Sequence, residues 1–445
     1  MTASRSTYRL AVASLASALA VALAACGDTS ALRTGADVGV QPVLVEPVRS
    51  IVPTVNIAPA QGWKLGSAPK GAEGTTVNAF ATGLIHPRWL HVLPNGDVLV
   101  AETNAPARPQ DGEGIKGWVM GLVMKRAGAA VPSPNRITLL RDADGDGIAE
   151  VRHVFMEGLN SPFGMLLIGD KLYVANTDAV VAVPYQTGQT RIDATPVVVT
   201  ALPAGSINHH WTKNIIANAD GSRLYATVGS NSNVAENGIE AEQGRAAIWE
   251  IDLPSGQKRL YASGLRNPNG MAWGPEGKTL WTVVNERDEL GSDLVPDYLT
   301  TVQRDTFYGW PYSYYGAHVD SRVDPPQPGL VAKAVVPDFA LGSHVAPLGL
   351  ASSRGGKLPA PFAEGMFVGL HGSWNRKPLS GYKVVFVPFQ GARPQGKPIN
   401  VLTGFVTADG DALGRPVGVA IDGRGALLVA DDVGNVIWRV AAAAP

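Results

Sequence analysis

The sequence predicts an all-β fold, a six-bladed β-propeller with inserted loops on one face. Its 445 residues include 51 glycines and 33 prolines, which favour many turns over long helices. A Gly- or Pro-marked start and a short apolar strand recur six times, and in most copies a turn of the Asp-Gly type and a second strand follow. Each copy has too little apolar surface to fold alone, so the copies must bury one another's faces.

The first 25 residues are expected to be a targeting segment rather than part of the fold. Arg5 and Arg9 precede the run LAVASLASALAVALAA, which is too short to span a membrane comfortably and leads to Cys26, the only cysteine. This arrangement resembles the bacterial lipobox, which implies lipidation of Cys26. Gly27 is not the Asp that marks retention in the inner membrane, so we expect a periplasmic lipoprotein anchored in the outer membrane. A plain secretory signal with an incidental cysteine is the alternative.

Residues 26–71 predict a lipid-anchor tether and lead-in that contributes one outer strand, and residues 72–445 predict the propeller. Insertions around Ala105–Ala130 and Asp288–Pro337 are expected to be loops at the mouth of the central channel, where propellers place function. Two β-sandwiches are the alternative, which the recurrence along the whole body disfavours. The six copies start at Ala81, Met156, Ile207, Ala262, Ser343 and Leu413.

Charge and motifs exclude several classes of function. The formal net charge is −1 and basic runs are absent, so nothing predicts nucleic-acid binding. The chain contains no G-x-S-x-G elbow, no dinucleotide fingerprint after a strand, no P-loop and no zinc-like Cys/His set. Hydride transfer to a nicotinamide and hydrolysis by a serine nucleophile are therefore disfavoured.

Cationic side chains stand at or near the start of the inner strand in several copies. Such a ring repels itself unless an anion binds there, and guanidinium groups match carboxylates in geometry. The pattern predicts a planar, multiply carboxylated or otherwise anionic ligand, whereas pairing with a nearby Asp or with loop carbonyls is the alternative for each arginine. The cations are Arg88, Arg266 and Arg415, with His209, His210 and Lys213 close to the same position.

His209 and His210 are the best candidates for a general base. Imidazole has an unperturbed pKa near neutrality, and neighbouring cations favour its neutral, proton-accepting form. Packing in a turn is the alternative. His371 follows the apolar strand GMFVGL and is expected to face the channel, with Arg376 and Lys377 soon after it.

Two oxygen-rich stretches are candidate metal sites. DADGDGIAE has the spacing of a calcium loop, but His153 stands where an EF-hand has its Glu and the flanks predict strands, so a plain hairpin turn stays equally open. NERDELGSDLVPDY is either a solvated acidic loop or a calcium site at the mouth. The oxygen-bearing residues are Asp142, Asp144 and Asp146 in the first stretch and Glu286, Asp288, Glu289, Asp293 and Asp297 in the second.

Several long motifs are distinctive: GLRNPNGMAW, FYGWPYSYYG, APLGLA, FVGLHGSWNRKPLSGYKVVFVPF and GRPVGVA followed by LLVADDVGNVIWRV. Together they resemble the pyrroloquinoline-quinone-dependent sugar dehydrogenases, and the L-sorbosone dehydrogenase-like branch most of all. The resemblance runs from about Val77 to Val440 and implies oxidation of a sugar, or a related aldehyde or alcohol, by hydride transfer to pyrroloquinoline quinone (PQQ). It also implies Ca²⁺ beside the quinone and a periplasmic electron acceptor.

The resemblance implies individual roles. Gap-free alignment makes His209 the base that takes the substrate proton, with His210 one step away. Arg266 and Asn267 are implied to contact the quinone, with Arg266 polarising its carbonyl. Arg415 matches an arginine of the family that binds a cofactor carboxylate.

The sequence departs from the family at three places. The second arginine beside Arg415 reads Val417, and Arg88 is a candidate replacement. The quinone-binding lysine aligns with His371, with Arg376 or Lys377 as substitutes. The carbonyls that hold calcium in the family align with the pair Arg287-Asp288, where the glucose dehydrogenases have Gly-Pro.

Two functions from other classes remain as alternatives. One is a non-catalytic propeller that serves as a binding or scaffold lipoprotein of the cell envelope. The other is a metal-dependent lactonase, which needs acidic and amide side chains around calcium and is disfavoured by the cationic mouth. The sequence does not name the substrate.

Overall fold

The computed structural model describes residues 27–49, 54–106, 121 and 125–443. Within them, six antiparallel sheets surround one channel, and each innermost strand contacts the innermost strand of the next sheet until the ring closes. The predicted six-bladed propeller is confirmed, and two packed sandwiches are excluded. Cys26 and the segment before it lie outside the described residues.

Blades 1 to 3 are each built from consecutive antiparallel strands that run from the channel outward. Blade 3 gains a fifth, parallel edge strand from a later part of the chain. The strands are Pro87–Val92, Val98–Glu102, Arg136–Arg141 and Val151–Met156 in blade 1; Met165–Ile168, Lys171–Ala175, Ala179–Pro184 and Val197–Ala201 in blade 2; and Ile215–Ala217, Arg223–Val228, Ala247–Asp252, Lys258–Ser263 and Thr306–Phe307 in blade 3.

Blades 4 and 5 each take their outermost strand from the lead-in, which therefore supplies two edge strands rather than the one expected. Their strands are Asn267–Trp273, Leu280–Asn285, Pro296–Thr301, Phe339–Ser343 and Val38–Gly39 in blade 4, and Pro347–Ser352, Gly365–Leu370, Lys383–Gln390, Ile399–Thr403 and Lys70–Gly71 in blade 5, where Arg393–Pro394 also pairs with the third strand.

Blade 6 joins the two ends of the propeller chain. Its inner three strands are Pro416–Ile421, Leu427–Asp431 and Val436–Ala442, and its fourth is Thr75–Ala81. Thr75 pairs with Ala442 in antiparallel register, so backbone hydrogen bonds close the ring.

Four innermost strands share a Pro-x-Gly sequence at or just before their start, and the structure explains the glycine. A Cβ added at any of these glycines would lie within 2.7 Å of a backbone atom in the innermost strand of the next blade. The absence of a side chain therefore lets neighbouring blades approach closely around the axis. The glycines are Gly164, Gly270, Gly349 and Gly418.

Replacing Gly349 by alanine is expected to destabilise the fold by about 1–3 kcal/mol, because the new methyl group meets the backbone of Val417 and Gly418, which cannot rotate away. Thermal and urea denaturation measure the effect. Gly329→Ala is the matched control, since a Cβ there meets nothing within 4 Å. Equal stability of the two variants would contradict this account of the ring.

The predicted insertion Asp288–Pro337 is not one loop, because it contains Pro296–Thr301, the third strand of blade 4. The chain then runs along blade 3 and forms a hairpin of Ser313–Tyr314 and His318–Val319 and a short helix, Pro328–Val331. A 3₁₀ helix spans Ile239–Glu242. Among the described residues, no helix has the length and apolar character needed to cross a lipid bilayer.

Candidate active site

Two kinds of loop meet at one end of the channel, which we call the mouth. In each blade the antiparallel register places the start of the innermost strand beside the end of the second strand. The residues that precede innermost strands therefore face the residues that follow second strands. The register pairs are Pro87 with Glu102, Asn267 with Asn285, Pro347 with Leu370 and Pro416 with Asp431.

Asp432 is the centre of a buried cluster that joins blades 1, 5 and 6. Arg88 Nη1 lies 2.7 Å from Asp432 Oδ2, His371 Nε2 lies 2.9 Å from the same oxygen, and His86 Nε2 lies 3.8 Å away. Burial lowers the pKa of His371 to about 4 in spite of the carboxylate, so at neutral pH it is an uncharged donor. Burial alone would raise the pKa of Asp432, but these basic neighbours hold it well below its ordinary value.

Arg415 stands beside this cluster without a carboxylate on its guanidinium among the described residues. Its Nη2 donates to the Ala58 carbonyl at 3.1 Å, and its Cζ lies 5.0 Å from the ring centre of Tyr382. The Nε atoms of Arg415 and Arg88 are both buried and have no hydrogen-bond partner in the described part of the chain. Two donors are thus left for an acceptor from outside, which fits an anionic ligand.

Arg266 is held on the opposite side of the mouth by five acceptor groups, one of which is the Asn285 carbonyl, 3.5 Å from Nη1. Its Nη2 lies 3.2 Å from Asp288 Oδ2, its Nη1 donates to the Glu286 carbonyl at 2.6 Å, and Asn233 accepts from Nε and Nη2. Burial would raise the pKa of Asp288, but Arg266 and His344 lower it to about 2. Next to Arg266, the buried Oδ1 of Asn267 has no partner in the described part of the chain.

His210 is oriented as a proton acceptor. Its Nδ1 lies 2.9 Å from the Ser230 carbonyl, which only accepts, so Nδ1 carries the proton and Nε2 has the lone pair. The Ser230 hydroxyl donates to the Ser232 carbonyl, which leaves its oxygen facing His210. Burial, Arg266 and His209 lower the pKa of His210 well below its ordinary value, so it is neutral at physiological pH. His209 is exposed, with its ring centre 6.4 Å from that of His210.

The two sides of the mouth are connected. The guanidinium of Arg88 lies over the ring of Trp211, 5.7 Å from its centre, and Trp211 follows His210 directly. Across the mouth, Asn375 from the loop that begins at His371 donates to Asp288 at 2.7 Å. The structure therefore brings the predicted Arg88, Arg266, Arg415, His210 and His371 together around one opening.

The predicted excess of positive charge is wrong for two of the three arginines. Arg88 is paired with Asp432 and Arg266 with Asp288, so these guanidiniums do not need an external anion for neutrality. The sequence motifs did not single out Asp432, and they indicated Asp288 only as a metal ligand. Asp288 lies three residues beyond the second strand of blade 4, so the hairpin register could have placed it opposite Arg266. Asp432 directly follows the second strand of blade 6 but pairs with Arg88 of blade 1, a contact that this register does not show.

Three other predicted residues lie at the margin of the mouth. Lys213 is fully buried, and its Nζ donates to the carbonyls of His210 and Trp211, so it supports the loop of the candidate base; burial lowers its pKa to about 7. Arg376 pairs with Asp293 at 3.3 Å and faces the lead-in. The carbonyl of Lys377 accepts from the lead-in at Ser30, 2.7 Å away.

The stretch Glu286–Asp288 does not fit a calcium ion. The Glu286 carbonyl accepts from Arg266, and the Asp288 carbonyl accepts from Arg322 Nη1 at 3.0 Å. Arg287 is fully buried and donates to Glu286, Asp320 and two loop carbonyls. A calcium ion bound here would have to displace Arg322 from the Asp288 carbonyl and Arg266 from the Glu286 carbonyl.

The other predicted metal site lies at the far end of blade 1, away from the mouth, in the turn between Arg136–Arg141 and Val151–Met156. Carboxylate oxygens of Asp142, Asp144, Asp146 and Glu150 lie within 4.8 Å of one another. Calcium binding by this turn stays a prediction. A surface cavity of about 560 Å³ beside Pro359–Phe362 lies at the same far end and includes no residue of the mouth.

Two protein families match parts of this chain. The family described as "Domain of unknown function (DUF7133)" matches residues 76–370, and the one described as "TrAA12-like" matches residues 331–443. An uncharacterized protein of Borreliella burgdorferi is 26% identical over 298 residues, which are 63% of this chain and 76% of that protein.

A second curated relative has a stated activity. The chain is 28% identical over 246 residues to the pyrroloquinoline quinone-dependent pyranose dehydrogenase of Coprinopsis cinerea, a match that covers 44% of this chain and 33% of that enzyme. This chain thus spans about a third of the length of that relative. The holo PQQ domain of pyranose dehydrogenase from Coprinopsis cinerea superposes with a TM-score of 0.65 and 20% identity over 87% of this chain and 100% of that domain, which shows a shared fold.

Proposed function

The chain belongs to the family described as "Domain of unknown function (DUF7133)", and from its sequence relationship to a PQQ-dependent pyranose dehydrogenase we propose that it is a PQQ-dependent oxidoreductase. Its substrate class would be sugars or related aldehydes and alcohols, as in the sorbosone- and aldose-oxidising branch whose motifs it resembles. The chemistry requires an anionic cofactor at the mouth, a base for the substrate proton and an outlet for electrons.

One observation carries the cofactor assignment. Arg415 has no carboxylate on its guanidinium within the described residues, and its Nε, the Nε of Arg88 and Asn267 Oδ1 are buried polar atoms without partners. PQQ carries carboxylates for the two arginines and hydrogen-bonding ring atoms for the amide. Arg415, Arg88, Arg266 and Asn267 would hold it.

His210 is proposed as the base in place of His209. Its Nδ1–H is held by the Ser230 carbonyl, and its Nε2 takes the proton from the substrate hydroxyl as the substrate C–H bond releases a hydride and the carbonyl forms. PQQ, when bound, supplies the electrophilic carbon that receives the hydride. Asn233, Glu286 and Asp288 fix the Arg266 guanidinium in one orientation, in which it would polarise the quinone carbonyl.

The cell-envelope address is also part of the proposal. Cys26 and the apolar segment before it support a lipid-anchored, periplasmic protein that passes electrons to a periplasmic acceptor. Calcium beside the quinone, which the family resemblance implies, is not proposed, because Arg322 already donates to the Asp288 carbonyl, one of the two carbonyls that would bind it.

Titration of the purified apoprotein with PQQ tests the proposal. We expect the absorbance change to saturate at one PQQ per chain. Dye-linked oxidation of at least one sugar or aldehyde of a test panel should reach its maximum at the same ratio of PQQ to protein. Arg415→Gln is expected to weaken PQQ binding by about 10- to 100-fold, because it removes a charge-assisted hydrogen bond. The exposed Arg354→Gln serves as the control. Absence of saturable binding would favour the non-catalytic scaffold instead.

A further inference from the structure

We propose that this site holds its quinone without a metal ion, and that the guanidinium of Arg322 provides the positive charge at the Asp288 carbonyl where a calcium ion would be needed. The inference rests on the proposed function and adds to it a second basic side chain on the side of the mouth opposite Arg415. It concerns Arg322 as a positioning residue for the cofactor.

Arg322 is fixed in place by a two-pronged ion pair. Its Nε lies 2.9 Å from Asp320 Oδ1 and its Nη2 lies 2.7 Å from Asp320 Oδ2, which leaves Nη1 to donate to the Asp288 carbonyl at 3.0 Å. Its side chain is only 17% exposed. Because a planar guanidinium with a fixed fork can point in only one direction, the Nη1 donor is permanently aimed at this carbonyl.

Asp320 itself belongs to the wall of the site. Arg287 Nη1 contacts Asp320 Oδ2 at 3.2 Å, and the same guanidinium donates to the carbonyls of Pro311 and Ser313. Burial would raise the pKa of Asp320, but the two arginines lower it to about 2, so it is ionised at neutral pH. Arg287 also pairs with Glu286 at 3.0 Å, so two guanidiniums face two carboxylates here, and Arg322 Nη1 is the cationic donor that reaches the Asp288 carbonyl.

The other acceptor oxygens of Asp288 also already receive hydrogen bonds from side-chain donors. Asn233 Nδ2 also donates to the Asp288 carbonyl, at 3.3 Å, and the carboxylate of Asp288 accepts from Arg266 and Asn375. Calcium binds through six to eight oxygens, and each oxygen here that already accepts from a cation or amide would have to be released first. The carbonyl and the carboxylate of Asp288 are therefore both occupied by cationic or amide donors.

The origin of Arg322 in the sequence explains why this feature was not expected. The residue comes from the hairpin region between Trp310 and Arg322, which leaves blade 4, runs along blade 3 and returns to the mouth. Trp310 Nε1 anchors this region to the Asn233 carbonyl at 2.9 Å. The insertion thus delivers a cation to a carbonyl 34 residues away in the chain.

The test compares PQQ binding and calcium binding in the full chain, in a background with Asp144→Asn and Asp146→Asn that removes the far carboxylate cluster. We expect the PQQ dissociation constant to be the same, within about twofold, in excess EGTA and in excess Ca²⁺, and equilibrium dialysis with radioactive calcium to show no additional ion per chain when PQQ is added. One extra calcium per chain together with tighter PQQ binding would overturn the inference but leave the proposed function intact. Absence of PQQ binding under both conditions would overturn the proposed function as well.

Arg322→Gln supplies the second arm. It removes the charge and is expected to weaken PQQ binding in EGTA by about 10-fold or more, and added Ca²⁺ should recover part of the loss because the Asp288 carbonyl is then open to the ion. Arg322→Lys keeps a cation and should bind PQQ in EGTA more tightly than the Gln variant, with circular dichroism verifying that both are folded. Unchanged binding in both variants would contradict a role for Arg322.

Discussion

Replacement of His210 by alanine is expected to lower kcat by about 10²- to 10⁴-fold, the usual contribution of a positioned general base. PQQ binding should change by less than about threefold, because the described hydrogen bonds of the His210 ring go to Ser230 and to none of the residues proposed to hold PQQ. Stopped-flow reduction of the bound quinone by substrate measures the chemical step, and absorbance titration measures binding. The separation of the two effects identifies a proton-transfer role rather than a structural one.

The pH dependence gives an independent readout of the same residue. Burial and Arg266 lower the pKa of His210 well below its ordinary value. A general base works in its deprotonated form, so His210 can still accept a proton as the pH falls from 8 towards 6. Titration of His210 should therefore cause no fall in kcat between pH 8 and pH 6.

His209→Ala is the matched comparison, because gap-free alignment assigns the base to His209. We expect a loss of less than about tenfold for this variant, since its ring is exposed and the oriented Nδ1 contact belongs to its neighbour. A larger loss in His209→Ala than in His210→Ala would restore the assignment by alignment and show that the Ser230 contact is merely structural.

Much of the fold was predictable because its determinants are local. Turn residues and short apolar strands recur within each blade, and the count of copies equals the count of blades. The segment Pro296–Thr301 was predicted as part of a loop because no turn of the recurring type precedes it. It is a strand because it pairs with Leu280–Asn285 in the folded protein. The edge strands Val38–Gly39 and Lys70–Gly71 are only two residues long and have no periodicity to read.

Of the contacts in the candidate site, the sequence predicted the arginines but not the groups that they bind. Arginines at the starts of inner strands stand out beside proline, whereas their partners come from distant loops. Asp288 is 22 residues from Arg266 and could have been found from the hairpin register. Asp432 is 344 residues from Arg88, and the Ala58 carbonyl is 357 residues from Arg415, so their contacts exist only because the first and last blades and the lead-in meet.

Asp432→Asn is expected to destabilise the protein by about 3–5 kcal/mol, the cost of breaking a buried ion pair by removing one partner. The amide keeps the shape of the side chain but leaves Arg88 as a buried cation beside His371. Thermal and urea denaturation without PQQ measure the loss. A change below about 1 kcal/mol would show that Arg88 is compensated by other groups.

The acid dependence of this loss has a definite sign. The folded-state pKa of Asp432 lies well below its unfolded value of about 3.9, so its contribution is fully present above that value and declines as the pH falls towards the folded pKa. The difference in stability between the parent and Asp432→Asn should therefore be constant between pH 6 and 8 and should shrink below about pH 4.

Asp422→Asn separates stability from ligand binding. Asp422 pairs with Arg439 at 2.8 Å in the same blade but at the end away from the mouth, so its loss should also destabilise the fold. If PQQ carboxylates bind Arg88, saturating PQQ should stabilise Asp432→Asn more than the parent, because the ligand supplies the missing negative charge. The same PQQ should raise the stability of Asp422→Asn and the parent equally. Equal shifts in all three would place the anion elsewhere and would leave Arg88 with a purely structural role.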